Sequence, residues 1–316
     1  MSKVPVTKSG PTSAVRMVLL RRKKSAFDMP DLDNGTHPRE YVETLASGMA
    51  TTQEQEAAAK KLRDISKESY ESRLQIVDTG GIPVLVACLT RPDHSSTVVE
   101  DAVTVCFNLS MDEDLLLPLT AAGLLPPLLA ICQEKCPGQV NATGVISNLS
   151  TVTENRLEIT ACGGIPILMN LARDNREPGL QNDAIIALFN LSVDTSCRAK
   201  LVDSGMVSDL LDGIEDLDPE VEEQVTLLLS SLLKEPRAVE EALESDGIPL
   251  LAAVLSADPR AQGHAAASLL LIARQSASAL RQVQEEGLIP SLVRIAEDGT
   301  SRGKEKVTFG VMHCCC

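Results

Sequence analysis

Apolar residues recur along the chain in short blocks with helical spacing, and brief polar stretches separate them. In one such block, Leu85 and Leu89 lie one helical turn apart, and the polar stretch 91–96 follows. An alanine-rich block at 98–109 comes next and is longer. Apolar positions three and four residues apart are typical of amphipathic helices. The pattern therefore predicts a chain built from helices, with short loops between them.

The blocks repeat with a period of about 41 residues, which is the range of helical repeat proteins. A proline follows a glycine-containing turn at positions 83, 126, 166, 249 and 290, and Ser208 holds this place in the fourth unit. A second column is a small residue that opens the long block in most units, and six places later a third column contains Asp64, Asn108, Asn148, Asn190, Ser231 and Leu271. Three columns that share one period indicate repeats that stack, because one unit cannot bury its own apolar face.

Each unit is predicted to contain three helices. The first is short, as at 72–79 and 155–162, and ends at a glycine, which adopts positive φ at little cost. The second begins near the proline, whose missing N–H is harmless in the first turn of a helix. The third is longer and rich in alanine, as at 181–191. Its small side chains allow neighbouring helices to approach closely.

The period, the Gly-Ile-Pro turn and the Ala-(x5)-Asn-Leu-Ser signature resemble those of armadillo repeats. The segments 106–110 and 184–192 are most similar to the arrays of plant U-box and armadillo-only proteins, as are the pairs Ser72-Arg73 and Asn155-Arg156. This resemblance implies an all-α fold, a right-handed α-solenoid in which the repeats form an armadillo-like helical superhelix. The predicted array covers residues 41–309, as six to seven units with the first and last incomplete.

Two segments flank the predicted array. Residues 1–40 contain eight basic and four acidic residues and are predicted to be a disordered basic arm. A U-box is not expected in this stretch, which is too short for that domain. The run 21–24 also allows a nuclear-import signal or a contact with the acidic array. Residues 310–316 form a cysteine-rich tail, where Cys314, Cys315 and Cys316 are candidates for lipidation.

Composition narrows the classes of partner. The formal net charge is −15, and the chain contains four Phe, two Tyr and no Trp. Such a chain lacks both the cations that neutralise phosphates and the aromatics that stack on bases, so a nucleic-acid partner is not expected. Armadillo proteins of the importin-α type, which carry nuclear-import signals, have a ladder of asparagines at the third-column positions and pair each one with a Trp four residues earlier. Here those places hold Thr104, Gly144 and Ile186, which argues against that role.

The resemblance implies that the long helices line a concave groove, and we predict that this groove binds a peptide. The candidate site residues are Asn108, Asn148, Asn190, Asp101, Thr104, Asn141 and Asp183. A carboxamide both donates and accepts hydrogen bonds, so it suits the backbone of an extended segment. Alternatively, the asparagines tie each helix to a neighbouring loop, and the two aspartates are solvated or stabilise helix N-termini. Phe107 and Phe189 are expected to fill the core.

The predicted function is therefore a non-catalytic scaffold or adaptor that holds an extended basic or neutral segment of a partner protein. One alternative is a substrate-recruiting component linked to ubiquitin ligases, and another is a membrane scaffold anchored through the C-terminal cysteines. No catalytic motif, cofactor or metal site is expected. The scattered cysteines are typical of free thiols in a reducing compartment, so the cytoplasm, with the nucleus as a second location, is expected. The chain is also expected to be a monomer.

Overall fold

In a computed structural model of the chain, the structure describes residues 37–174, 177–214, 217–256 and 259–298. Within these ranges the chain forms helices and no strand, which confirms the all-α prediction. The first helix begins at Pro38, within the last residues of the predicted arm. The rest of the arm and the tail with its three cysteines lie outside the described residues. The predictions about them therefore stay predictions.

The described helices divide into two compact units, with the boundary between residues 127 and 128. Unit one contains α1 Pro38–Ala46, α2 Thr52–Glu68, α3 Tyr70–Asp78, α4 Gly81–Thr90, α5 Ser96–Leu109 and α6 Glu113–Ala121. The helix α7 Leu125–Gln133 spans the boundary. Unit two contains α8 Gln139–Leu149, α9 Thr153–Ala161, α10 Gly164–Ala172, α11 Pro178–Val193, α12 Thr195–Asp203, α13 Met206–Leu211, α14 Pro219–Leu232, α15 Pro236–Glu244, α16 Gly247–Val254, α17 Pro259–Gln275, α18 Ala277–Glu285 and α19 Ile289–Asp298.

The long third helices of successive repeats pack side by side. In unit one, α2 packs against α5, and α1 covers α2 and α4. In unit two, α8 packs against α11, α11 against α14, and α14 against α17. Fully buried aliphatic residues recur at equivalent places in these helices, at Leu149, Leu191, Leu232 and Ile272. Each unit therefore has an aliphatic core that runs through its stacked repeats.

The turn before each Gly-Ile-Pro motif uses two residues for different purposes. Gly163 ends the short helix with φ of +78°, in the left-handed region. The next residue, Gly164, is needed for space instead. A Cβ atom on it would lie 2.8 Å from the carbonyl oxygen of Ile159 and 2.6 Å from its Cγ2. The side-chain-free residue lets the second helix begin directly against the first.

Cysteine burial agrees with the prediction of free thiols. Cys88, Cys106, Cys132 and Cys197 are buried, and none of the described cysteines forms a disulfide. Burial raises the pKa of the Cys88 thiol to about 11, so it stays protonated at neutral pH. These thiols fill core volume.

Two aromatic residues differ from expectation. Phe107 and Phe189 are predicted to fill the core, but both are only half-buried on their long helices. The cores of α5 and α11 are closed by smaller aliphatic and alanine side chains, including Val103 and Ala187. Part of each phenyl ring therefore stays at the surface.

Among the described residues, no single helix is both long enough and apolar enough to cross a membrane. The pairs α3 with α4 and α6 with α7 reach the required length and composition only when taken together, and each pair is sharply bent.

Candidate functional site

One side of each long helix remains incompletely buried after packing. On α11, the half-buried residues Asp183, Ile186, Phe189 and Asn190 recur every three or four positions, and Val193 is 52% exposed. Because α11 lies between α8 and α14, this side belongs to a continuous surface in unit two. We call it the long-helix face of unit two, formed by Asn141 and Asn148 of α8, the five residues of α11 above, and Gln224 and Leu227 of α14.

Two of the three predicted ladder-position asparagines, Asn108 and Asn190, bridge neighbouring repeats. In unit two, Asn190 donates from Nδ2 to Oγ of Ser150, at 2.9 Å. In unit one, Asn108 donates in the same way to Oγ of Ser66, at 2.8 Å. Both serines are buried at the C-terminal end of the preceding long helix. The asparagines therefore have a structural task, which ties each helix to the preceding repeat.

This hydrogen bond uses the Nδ2 group of each carboxamide and leaves its oxygen, Oδ1, without a donor among the described residues. Within the described ranges, no group donates a hydrogen bond to Oδ1 of Asn108 or of Asn190. Asn108 is buried, whereas Asn190 is half-buried at the surface. Because the tie fixes the orientation of the Asn190 carboxamide, its Oδ1 is a positioned acceptor for an incoming donor.

The three remaining polar candidates are already engaged. Thr104 donates from Oγ1 to the carbonyl oxygen of Glu100, at 2.9 Å. Asn141 and Asn148 are half-buried on α8, and each has a polar interaction of its own. All three side chains are half-buried, Thr104 on α5 and the two asparagines on α8.

Asp101 in unit one forms an ion pair. Nη1 of Arg63 lies 2.5 Å from Oδ1 of Asp101, whose side chain is only 5% exposed. Burial raises the pKa of Asp101, and the charge of Arg63 opposes that rise. The pair neutralises the charge of Asp101 within its own unit.

Asp183 on α11 is equivalent to Asp101, since each lies seven residues before the asparagine of its own long helix, but Asp183 has no such partner. No hydrogen bond or ion pair joins its carboxylate to any residue that the structure describes. Burial alone raises its pKa. The place equivalent to Arg63 holds Ser147 on α8, which carries no charge. Asn182, the residue before Asp183, has a buried Oδ1 atom that receives no hydrogen bond from the described residues.

A second recurring contact is not among the sequence-based predictions. Arg156 donates from Nε to the carbonyl oxygen of Ser150, at 2.9 Å, and Arg198 donates from Nη1 to that of Ser192, at 3.0 Å. An arginine of the following short helix thus caps the C-terminal end of α8 and of α11. The signal in the sequence is an arginine six residues after the serine, at both of these places.

A cleft of about 400 Å³ lies where α11, α14 and α17 begin. It is lined by prolines and polar residues, including Asn182, Asp218, Glu220 and Arg260. In the part of the chain that the structure describes, no three His, Cys, Asp or Glu side chains are grouped to hold a metal ion. The surface offers hydrogen-bond acceptors and apolar contacts for a ligand.

Solved structures with this fold include engineered proteins and designed armadillo repeat proteins. An engineered protein is 24% identical, with a TM-score of 0.78, and the match covers 88% of this chain and 68% of that chain. A computationally designed armadillo repeat protein for modular peptide recognition is 23% identical, with a TM-score of 0.68, over 75% of this chain and 99% of that chain. These matches confirm the predicted armadillo-type α-solenoid class.

Curated relatives come from plants. U-box domain-containing protein 45 of Arabidopsis thaliana is 26% identical over 269 residues, which cover 83% of this chain and 35% of that protein. U-box domain-containing protein 4 of Oryza sativa subsp. japonica is 28% identical over 270 residues, covering 81% and 36%. The chain thus spans about a third of the length of these relatives. The family model for the plant U-box protein ARM repeat region matches residues 40–307, and the chain therefore belongs to this family of armadillo repeat proteins.

Proposed function

We propose that this chain is a non-catalytic scaffold that binds an extended segment of a partner protein on the long-helix face of unit two. The observation that carries the proposal is the combination on α11 of accessible apolar side chains, Ile186, Phe189 and Val193, with the positioned Oδ1 of Asn190. Apolar side chains of the partner would lose contact with water there. A backbone N–H of the partner would donate to Oδ1.

The repeat spacing supports an extended ligand. Packed helices lie roughly 8–10 Å apart, and an extended chain advances about 3.3 Å per residue. Each repeat therefore matches roughly two to three residues of an extended segment. An interaction with α11 can be followed by another with α14, where Gln224 and Leu227 occupy equivalent half-buried places. A helical ligand, at about 1.5 Å per residue, would fit this spacing less well.

The chemistry of the surface suggests a basic or neutral partner. The unpaired Asp183 contributes negative charge, and the chain as a whole carries −15. A designed armadillo repeat protein of similar fold has been solved in complex with the peptide (KR)4. We also propose that the protein is a monomer, that it is located in the cytoplasm or nucleus, and that it binds no nucleic acid. Membrane attachment enters only through acylation of Cys314, Cys315 and Cys316.

Photo-crosslinking tests whether the long-helix face of unit two is the binding surface. A photoreactive p-benzoylphenylalanine replaces Val193, which is 52% exposed on that face, or Leu157, which is 50% exposed on the short helix α9. In plant extract, we expect position 193 to crosslink to a defined partner segment, which mass spectrometry identifies. Position 157 should not crosslink to it. Equal crosslinking at both positions, or none at 193, would contradict the proposed face.

A second candidate function follows from the names of the relatives, which are U-box domain-containing proteins. We propose that the chain recruits substrates to a ubiquitin ligase. The partner identified at position 193 should then carry more ubiquitin when the wild-type chain is overproduced than when Val193→Asp is overproduced. Ubiquitin-remnant mass spectrometry measures this ratio, with Leu157→Asp as the matched control. An unchanged ratio would reject the ligase role and leave the scaffold role intact.

A further inference from the structure

Asp183 is a charged group in an unfavourable place. Its carboxylate is half-buried on α11, and no described residue neutralises it or donates a hydrogen bond to it. Removing a carboxylate from water without a partner costs free energy, and the raised pKa of Asp183 reflects that cost. A cation supplied by a ligand would recover the cost.

Unit one shows how the equivalent carboxylate is neutralised when the neighbouring helix supplies a cation. Asp101 is the equivalent residue of α5, and the guanidinium of Arg63 approaches it to 2.5 Å. Arg63 comes from the preceding long helix, α2. In unit two the preceding long helix is α8, which holds Ser147 at that place. The carboxylate is therefore retained in the second unit, while the cation that neutralises it is not.

The surroundings of Asp183 favour an organic cation. A metal ion needs several oxygen ligands, and none of the described parts of the chain groups enough acidic or histidine side chains to supply them. One turn along α11, Ile186 offers a half-buried apolar surface. Lysine and arginine combine an apolar stem with a charged end, so one such side chain can pack on Ile186 and reach Asp183.

A second acceptor adds to this environment. Oδ1 of the adjacent residue, Asn182, is buried and receives no hydrogen bond from the described residues. Asn182 lines the cleft at the beginning of α11, together with the acidic residues Asp218 and Glu220 and the basic residue Arg260. Two carboxylates against one guanidinium leave this end of the face with excess negative charge, which favours a cationic ligand.

We propose that Asp183 binds a lysine or arginine side chain of the partner segment. The proposal rests on the function proposed above, and it assigns the basic residue of the partner to the end of the face nearest the start of α11.

Fluorescence anisotropy with two labelled octapeptides tests this assignment on the full chain. One peptide alternates lysine and arginine, and the other has glutamine at every position. We expect the basic peptide to bind at least about tenfold more tightly than the neutral one, since charge-assisted hydrogen bonds exceed neutral ones. Asp183→Asn should weaken basic-peptide binding about tenfold and leave neutral-peptide binding unchanged. The isosteric variant should also unfold at a slightly higher temperature, because it removes an unpaired charge.

Glu154→Gln serves as the matched control, because it removes the same charge from an exposed place on α9. It should change basic-peptide binding less than about twofold, since solvent and salt screen an exposed charge. Equal losses in the two variants would show a long-range charge effect only and overturn the assignment. Failure of the wild type to prefer the basic peptide would also overturn it. Neither result would affect the crosslink at position 193, which tests the proposed function separately.

Discussion

Replacing Gly164 by alanine is expected to lower the free energy of unfolding by about 3 kcal/mol, at the upper end for overpacking. The added Cβ would lie 2.8 Å from the carbonyl oxygen of Ile159 and 2.6 Å from its Cγ2. The oxygen belongs to the backbone of α9, so relief requires α9 and α10 to separate. Urea unfolding followed by circular dichroism measures the loss.

Two other glycines show whether this loss comes from the close approach. Gly163 has φ of +78°, and no atom lies within 4 Å of the place that its Cβ would take, so Gly163→Ala should cost about 1 kcal/mol through backbone strain alone. Gly179, on α11, has ordinary φ and open space, so Gly179→Ala should change stability by less than about 1 kcal/mol. If Gly164→Ala is no more destabilising than Gly163→Ala, the close contact is not what requires glycine.

Replacing Arg198 by methionine is expected to cost about 2 kcal/mol, because charge-assisted hydrogen bonds at a partly buried site are lost. Arg198 donates to the carbonyl oxygen of Ser192 at 3.0 Å and to the carboxylate of Glu235 at 2.8 Å. The side chains of Arg198 and Glu235 are only 12% and 25% exposed, so the variant leaves both acceptors poorly solvated. Methionine keeps most of the aliphatic contact. The measurement is again urea unfolding.

Arg237 provides the comparison for Arg198. It forms an ion pair with Asp203, but these side chains are 72% and 54% exposed. Solvent screens such a pair, so Arg237→Met should cost no more than about 0.5 kcal/mol. Similar losses for the two methionine variants would mean that the closure of α11 by Arg198 does not stabilise the unit.

Most of the fold could be predicted from local sequence patterns that recur in each repeat. The predicted stretch 181–191 lies within the observed helix Pro178–Val193, and the predicted short helix at 155–162 corresponds to Thr153–Ala161. These elements could be predicted because helical periodicity, a glycine turn and an early proline are local properties, and the 41-residue period repeats them. Helix ends differ by one to three residues, since capping depends on neighbouring loops.

The site was less predictable because its properties depend on residues one repeat away. Asn190 does lie at the surface of a long helix, as predicted, but its donor is committed to Ser150, 40 positions earlier. Asp101 and Asp183 look equivalent along the chain. They differ because Arg63 and Ser147 precede them on the neighbouring helices. Both relationships become visible in the sequence only when adjacent repeats are aligned and compared residue by residue.

Ser150 is contacted from two directions, by Asn190 of the next long helix and by Arg156 of the following short helix. At Ser192 the partners are Ser231, to which the Ser192 hydroxyl donates at 2.8 Å, and Arg198, which donates to the Ser192 carbonyl oxygen. At both junctions, a serine at the end of one long helix thus pairs with a polar side chain of the next long helix and with an arginine of the following short helix. A gene duplication or deletion of one whole repeat would restore these junctions automatically, whereas a partial one would break them. Such arrays can therefore change length in evolution in whole-repeat steps.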